Sequence, residues 1–327
     1  MSFFGGGTDM ENYFAENGGA VLSSSIDKYC YVTVRHLPRF FDYSTELVYS
    51  KTERVTDVEQ IDHPAIKNAM KMLDIHEIRL TYEADLPARS GLGTSSSFAV
   101  GMLQAFHALK GKYADKKRLA DEAIYLERVL CNEAGGWQDQ IAASFGGMNV
   151  IKFHGHDYEV SPVIIHPERK TQLNNNLMMF FTGFTRLSSS IQKANNAETP
   201  KDKIKSLDEM KLLVSNALDI LQDKHSDLDD FGRLLNHTWE LKRKTGKAIS
   251  NDTLDEIYLR AKKAGALGGK LLGAGGGGFF VFYVTPEFQN QVREAMKEFL
   301  YVPFMFENGG AQILYYTPES YEPAEKI

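Results

Sequence analysis

The sequence predicts an α+β protein of two domains. Three observations carry this. First, the chain has 327 residues, about twice the roughly 150 of an average domain. Second, strand and helix patterns are mixed without strict βαβ alternation, which disfavours a doubly wound sheet. Third, the character changes near residue 170. There a short apolar run and a loop give way to polar helical stretches that continue to about residue 263. The domains are therefore placed at 1–170 and 171–327. No Pro- or Ser-rich linker separates them, so they are expected to pack closely.

Residues 29–34, Tyr-Cys-Tyr-Val-Thr-Val, are β-branched and aromatic and read as a strand. Residues 78–86 alternate Ile78, Leu80, Tyr82, Ala84 and Leu86 against Arg79, Thr81, Glu83 and Asp85, a half-buried strand that Pro87 ends. Ser95, Ser96 and Ser97 are N-cap candidates for a helix with Phe98, Met102, Ala105, Phe106 and Leu109 at helical spacing. A second helix is expected over 115–130, with Leu119, Ala123, Leu126 and Leu130 on one face. Residues 146–153 and 158–165 suggest a hairpin turning at His154-Gly155-His156-Asp157. Leu177 to Phe181 is a short apolar run, followed by a loop at Thr182-Gly183-Phe184-Thr185-Arg186. A helix is expected over 253–264. Phe279 to Val284 reads as a buried strand, and Gln312 to Tyr316 as another.

Composition excludes several classes. The formal charge is −6, and hydrophobic residues make up 43%, so no basic excess supports a nucleic-acid or anionic-membrane surface. No apolar run approaches the roughly 18 residues of a membrane span, and no signal peptide is visible. Cys30 and Cys131 are too few for a disulfide scaffold, which fits a reducing cytoplasm.

Glycine supplies the motifs. Pro87 to Ser97 reads Pro-Ala-Arg-Ser-Gly-Leu-Gly-Thr-Ser-Ser-Ser, between a strand and a helix. Its glycines allow a tight turn, and the helix N-terminus that follows is an anion site. The alternative is a plain strand-to-helix turn with redundant caps. No Gly-Lys-Ser/Thr closes it as a Walker A loop. Gly273 to Gly278 contains a literal G-x-G-x-x-G, but it follows a helix and opens a strand, the wrong context for a dinucleotide. Close packing against a neighbouring loop, or a flexible connection, remain. Asp139 lies in Gly135-Gly136-Trp137-Gln138-Asp139-Gln140, where a carboxylate can accept a proton or orient a hydroxyl. Glu127 on its helix and Asp9 after Gly5-Gly6-Gly7-Thr8 read equally as an exposed Glu and an N-cap. His154 and His156 lack cysteine partners for zinc.

Together these pieces resemble the GHMP small-molecule kinases. Residues 2–9 look like that family's first motif, 87–97 like its phosphate loop and 270–278 like its third motif. Ser25 to Tyr29, Tyr49 to Val55, Gln138 to Gln140 and Ala264 to Lys270 are similar to the D-glycero-D-manno-heptose 7-phosphate kinases, and Gly-Trp-Gln-Asp-Gln also to L-fucokinase domains. The resemblance implies a ribosomal protein S5 domain 2-like N-terminal domain and a ferredoxin-like C-terminal domain. It implies an ATP- and Mg2+-dependent cytoplasmic enzyme that phosphorylates the anomeric hydroxyl of a heptose 7-phosphate for surface polysaccharide synthesis. A homodimer is compatible with it.

By the same resemblance, Gly91, Leu92, Gly93, Thr94, Ser95, Ser96 and Ser97 wrap the triphosphate, Gly275 and Gly276 also bind the nucleotide, and Gly273 to Gly278 as a whole brace the phosphate loop. Ser95 and Glu127 hold the metal, and Asp139 activates the acceptor hydroxyl. Asp9, with Gly6, Gly7, Thr8 and Gly136, binds the sugar. The fork of Arg186, with Ser188 nearby, suits the sugar's own phosphate; an ordinary surface arginine is the alternative. The family's first motif follows a strand bearing an arginine, whereas here it starts at Ser2. That role passes to a preceding segment or to another cation, and Tyr31 and its neighbours become an exposed sheet edge. The rival readings are a fucokinase or galactokinase-like enzyme for an unphosphorylated sugar, and a catalytically silent sugar- and ATP-binding sensor.

Overall fold

The computed structural model describes residues 1–88, 90–183, 200–246, 249–273 and 275–317. The chain opens with β1 (Ser2–Phe4), α1 (Glu11–Asn17) and β2 (Gly19–Ile26), then β3 (Cys30–His36), β4 (Thr45–Val48) and β5 (Thr52–Val55). Next come α2 (Pro64–Leu73), β6 (Ile78–Ala84), α3 (Thr94–Leu109), α4 (Lys116–Ile124) and α5 (Gln138–Phe145). The hairpin β7 (Met148–His154) and β8 (Asp157–Pro162) leads to α6 (Pro167–Asn175). The later elements are β9 (Leu177–Phe181), α7 (Pro200–Gln222), α8 (Asp229–Lys244), α9 (Asp252–Lys263), β10 (Gly268–Leu271), β11 (Phe279–Tyr283), α10 (Pro286–Ala295), β12 (Leu300–Tyr301) and β13 (Phe306–Glu307).

Among the described residues these strands form three sheets, ordered β1-β2-β7-β8 with β13 also on β2, β3-β6-β4-β5, and β10-β11-β9-β12. The last is the ferredoxin-like order, with both outer strands antiparallel to their neighbours. Local chemistry starts α4 and α9 near where they were expected, and also α2, which was not read from the sequence. Asp115 caps α4 at Arg118 N, Asn251 caps α9 at Leu254 N, and Pro64 sits in the first turn of α2.

The halves do not have separate interiors. Phe3 and Phe4 of β1 stack edge-on against Phe231 of α8, and one apolar cluster joins them to Val214 of α7 and Tyr283 of β11. A second cluster lies between α3 and its sheet, and a third beneath Trp239. The strand expected at 312–316 is absent. Ile313, Leu314, Tyr315 and Tyr316 are half or more exposed, because no sheet edge meets them. Strand-type residues without a partner strand gain no ladder. Edge strand β3 does leave Tyr31 exposed, as expected.

Candidate functional site

The first turn of α3 is where the site begins. The serines expected as caps lie inside the helix, and its N-cap is Gly93, in the left-handed region at φ 70° with no side-chain cap. The end of α3 therefore presents backbone N–H groups to a ligand. Its loop is held from the second half by backbone contact. A Cβ on Gly91 would lie 2.5 Å from Leu272 O, and one on Gly278 would lie 2.3 Å from Ser90 O. Only glycine allows main chains this close. The packing alternative for the glycine-rich run is thus the observed one.

The run does not act uniformly. Gly273 meets Gly91 and lines the cleft, whereas Gly275 packs on Ile249 and Gly276 N donates to Ile249 O. The bracing expected of 273–278 is carried by Gly273 and Gly278, while Gly275 and Gly276, expected at the nucleotide, meet Ile249.

A second wall comes from the first motif. Gly6, Gly7 and Asp9 line the cleft. Thr8 does not. It is fully buried, donating to Gly5 O and Ala20 O and accepting from Ala20 N, so it ties the turn to β2. Asp9 is 2% exposed and accepts from Gly7 N at 2.8 Å and Gln138 N at 3.3 Å. Burial raises its carboxyl pKa, and those two N–H groups oppose the rise. Gly136 passes so near that a Cβ there would lie 1.8 Å from Asp9 Oδ2.

Asp139 is in the first turn of α5, beside the phosphate loop: a Cβ on Gly93 would lie 3.3 Å from its Cγ. Asp139 is accessible from the cleft, and the partial desolvation of its carboxyl deep in that cleft, with the charge of Asp9 second, raises it to about 6. Glu127 sits in a π-helical turn (Tyr125–Leu130) continuing α4, where a regular helix was expected. Such turns concentrate at functional sites. It is 3% exposed and accepts from Ser96 Oγ at 2.8 Å and from Gln140 Nε2. The serine partner is thus Ser96, while Ser95 is exposed at the cleft. Arg186 and Ser188 lie outside the described residues.

Three polar groups were not singled out from sequence. Lys242 of α8 lines the cleft and donates to Gly273 O at 2.6 Å. Burial lowers it to about 8, against the pull of Asp9 and Asp139. Lys270 is 1% exposed and donates to Ser2 O and Phe3 O, fastening β10 to the first motif. Gln140 is fully buried on Glu127. Lys270 had a readable signal, a lone charge in an apolar strand. Lys242 was hidden in Lys242-Arg243-Lys244, which reads as an ordinary basic last turn.

These walls enclose a cleft of about 1460 Å³ lined from both halves. A family profile described as the GHMP kinases N terminal domain matches residues 61–147, and one described as GHMP kinases C terminal matches 216–302. The chain is 29% identical to the D-glycero-alpha-D-manno-heptose 7-phosphate kinase of Campylobacter jejuni, over 95% of this chain and 96% of that protein. It is also 29% identical to the L-fucokinase/L-fucose-1-P guanylyltransferase of Bacteroides fragilis, over 68% of this chain but only 24% of that longer protein. A solved D-glycero-D-manno-heptose 1-phosphate kinase from Bacteroides thetaiotaomicron superposes with a TM-score of 0.75 at 26% identity, covering 95% and 94% of the two chains. With both family profiles in chain order and these relatives covering nearly the whole chain, the protein belongs to the GHMP kinase family.

Proposed function

We propose that this chain is an ATP-dependent kinase that phosphorylates the anomeric hydroxyl of D-glycero-D-manno-heptose 7-phosphate. The observation that carries it is the convergence of Asp9 and Asp139 beside the uncapped first turn of α3, in one cleft. Phosphoryl transfer needs positioning, charge neutralisation and one oriented nucleophile. The triphosphate lies on the N–H groups of the loop 91–97. Asp9, gripped by two backbone donors, orients sugar hydroxyls. Asp139 accepts the proton of the attacking hydroxyl, and a carboxyl raised to about 6 suits that task near neutral pH. The oxygen bonds to the γ-phosphorus, the bond to the bridging oxygen breaks, and ADP leaves.

Magnesium fits the donors present. Among the described residues no three His, Cys, Asp or Glu cluster for a metal, yet magnesium needs only one or two carboxylates beside phosphate oxygens and water. Glu127 would supply the carboxylate and Ser95 or Ser96 a hydroxyl. When bound, the ion supplies charge neutralisation of the triphosphate. Arg186 is assigned to the sugar's own phosphate. The names of the two heptose kinase relatives support the heptose core. The likeness to an L-fucokinase favours, as the second reading, an unphosphorylated sugar.

The test is an ADP-release screen over heptose 7-phosphate, unphosphorylated heptose, L-fucose, galactose and mannose, with product linkage read by NMR. Turnover highest on heptose 7-phosphate with an anomeric phosphate product supports the reading. Preference for an unphosphorylated sugar overturns it, and a KM for sugar phosphate unchanged in Arg186→Ala removes that assignment.

A further inference from the structure

We infer that Lys242, reaching over from α8 in the second half, is the cation that holds the transferred phosphoryl group of ATP against the phosphate loop. Three observations place it. Its Nζ bonds the carbonyl of Gly273, the residue whose main chain touches Gly91 of the phosphate loop. It lines the same cleft as Ser95 and Asp139. It lies within electrostatic reach of both Asp9 and Asp139, which line the same cleft and between which the acceptor hydroxyl has to approach.

The placement has a chemical use. A γ-phosphate entering between two carboxylates meets like charge on the acceptor side. A single ammonium on that side offsets the repulsion and follows the charge that builds on the phosphoryl oxygens as the bond to ADP breaks. The other cations near these carboxylates are engaged elsewhere: Lys270 Nζ donates to Ser2 O and Phe3 O, the amino group of Met1 donates to Ser24 O, and Arg128 is bonded to Glu133 O and paired with Glu127. Lys242 spends one proton on Gly273 and has two left to donate. The glycine contact thereby ties the cation's position to the loop that carries the nucleotide.

The inference rests on the ATP-dependent reading but not on which sugar is the acceptor, so its test uses the nucleotide alone. Calorimetric titration of Mg2+ with AMPPNP, and separately with ADP, is compared in wild type, Lys242→Met and Lys242→Arg. Lys242→Met is expected to weaken AMPPNP about tenfold and leave ADP within about twofold, with Lys242→Arg recovering most of the difference. An equal loss for both nucleotides would show that Lys242 only braces Gly273, and no loss for either would show no contact; both overturn the assignment. Should Lys242→Met melt early, Lys242→Gln keeps the comparison open. Failure of every sugar in the turnover screen sinks the sugar reading and leaves this binding ratio intact.

Discussion

Gly136→Ala isolates the coupling between the two carboxylate-bearing segments. Gly136 needs no left-handed backbone, so the substitution adds volume without the strain of a forbidden φ. The new Cβ would lie 1.8 Å from Asp9 Oδ2, 2.3 Å from its Cγ and 2.9 Å from Oδ1. An ordinary carbon–oxygen contact begins near 3.4 Å, so the carboxylate has to move by roughly 1.5 Å. It cannot do so and keep both donors, Gly7 N at 2.8 Å and Gln138 N at 3.3 Å. A displacement of about 1 Å at a positioning group costs on the order of 10²-fold in rate, so kcat/KM for the sugar should fall about 10²- to 10³-fold, or about 3–4 kcal/mol. Overpacking should lower stability by about 1–3 kcal/mol. ADP affinity should stay unchanged, because the phosphate loop is on the other wall. Gly111→Ala is the control: it has φ 64° with nothing within 4 Å of its Cβ, so it strains backbone without touching the site. Steady-state kinetics, ADP titration and thermal melts of both variants decide. A Gly136→Ala enzyme with kcat/KM within threefold of wild type would refute the reasoning.

Asp139→Asn should reduce transfer by about 10²- to 10⁴-fold while binding AMPPNP nearly as tightly as wild type, and normal turnover would remove Asp139 as the proton acceptor. The pH profile of kcat/KM should be a bell. It rises through about 6 as Asp139 loses its proton and becomes able to accept another, and falls through about 8 as Lys242 loses its charge. Lys242→Arg should shift only the alkaline limb upward, and a flat profile from pH 5 to 9 contradicts both roles. Ser96→Ala removes a bond to the buried Glu127 carboxylate and should cost about 1–2 kcal/mol, seen as a lower melting temperature. Ser95→Ala should leave the melt alone and raise the Mg2+ concentration for half-maximal rate; the reverse pattern would exchange the two serines.

What was legible in the sequence was chemistry carried by short local spacing. The strand-loop-helix frame of residues 78–109 and the glycines beside Asp9 and Asp139 could be read because turn chemistry and periodicity act over a few residues. The misreadings concern where a side chain points. Thr8 and Asp9 are adjacent, yet one turns to the main chain of Ala20 and the other to the cleft, a choice made by the pairing of β1 with β2. Ser95 and Ser96 differ only by their phase on the first turn of α3. Within Gly273 to Gly278 nothing local distinguishes the glycines that meet Ser90 and Gly91 from those that meet Ile249; tertiary packing does. Residues 312–316 failed for the same reason in reverse, since a strand needs a neighbour that local composition does not announce.

The contacts between the halves explain why such a site can be built from two ends of the chain without a loose hinge. Main chain lies on main chain where Leu272 and Gly273 meet Gly91 and where Gly278 meets Ser90. Lys270 fastens β10 to two carbonyls of the first motif, and Phe3, Phe4, Phe231 and Tyr283 sit in one apolar cluster below. Each of these contacts is short and has no flexible side chain to absorb a shift, apart from the lysine, which is itself buried. Close-packed interiors transmit displacement rather than absorbing it. The distance from the cation on α8 to the carboxylates at Asp9 and Asp139 is therefore set by the same contacts that shape the phosphate loop. A substitution at Leu272, Gly273 or Gly278 then alters nucleotide and acceptor geometry together, even where the residue reaches neither ligand.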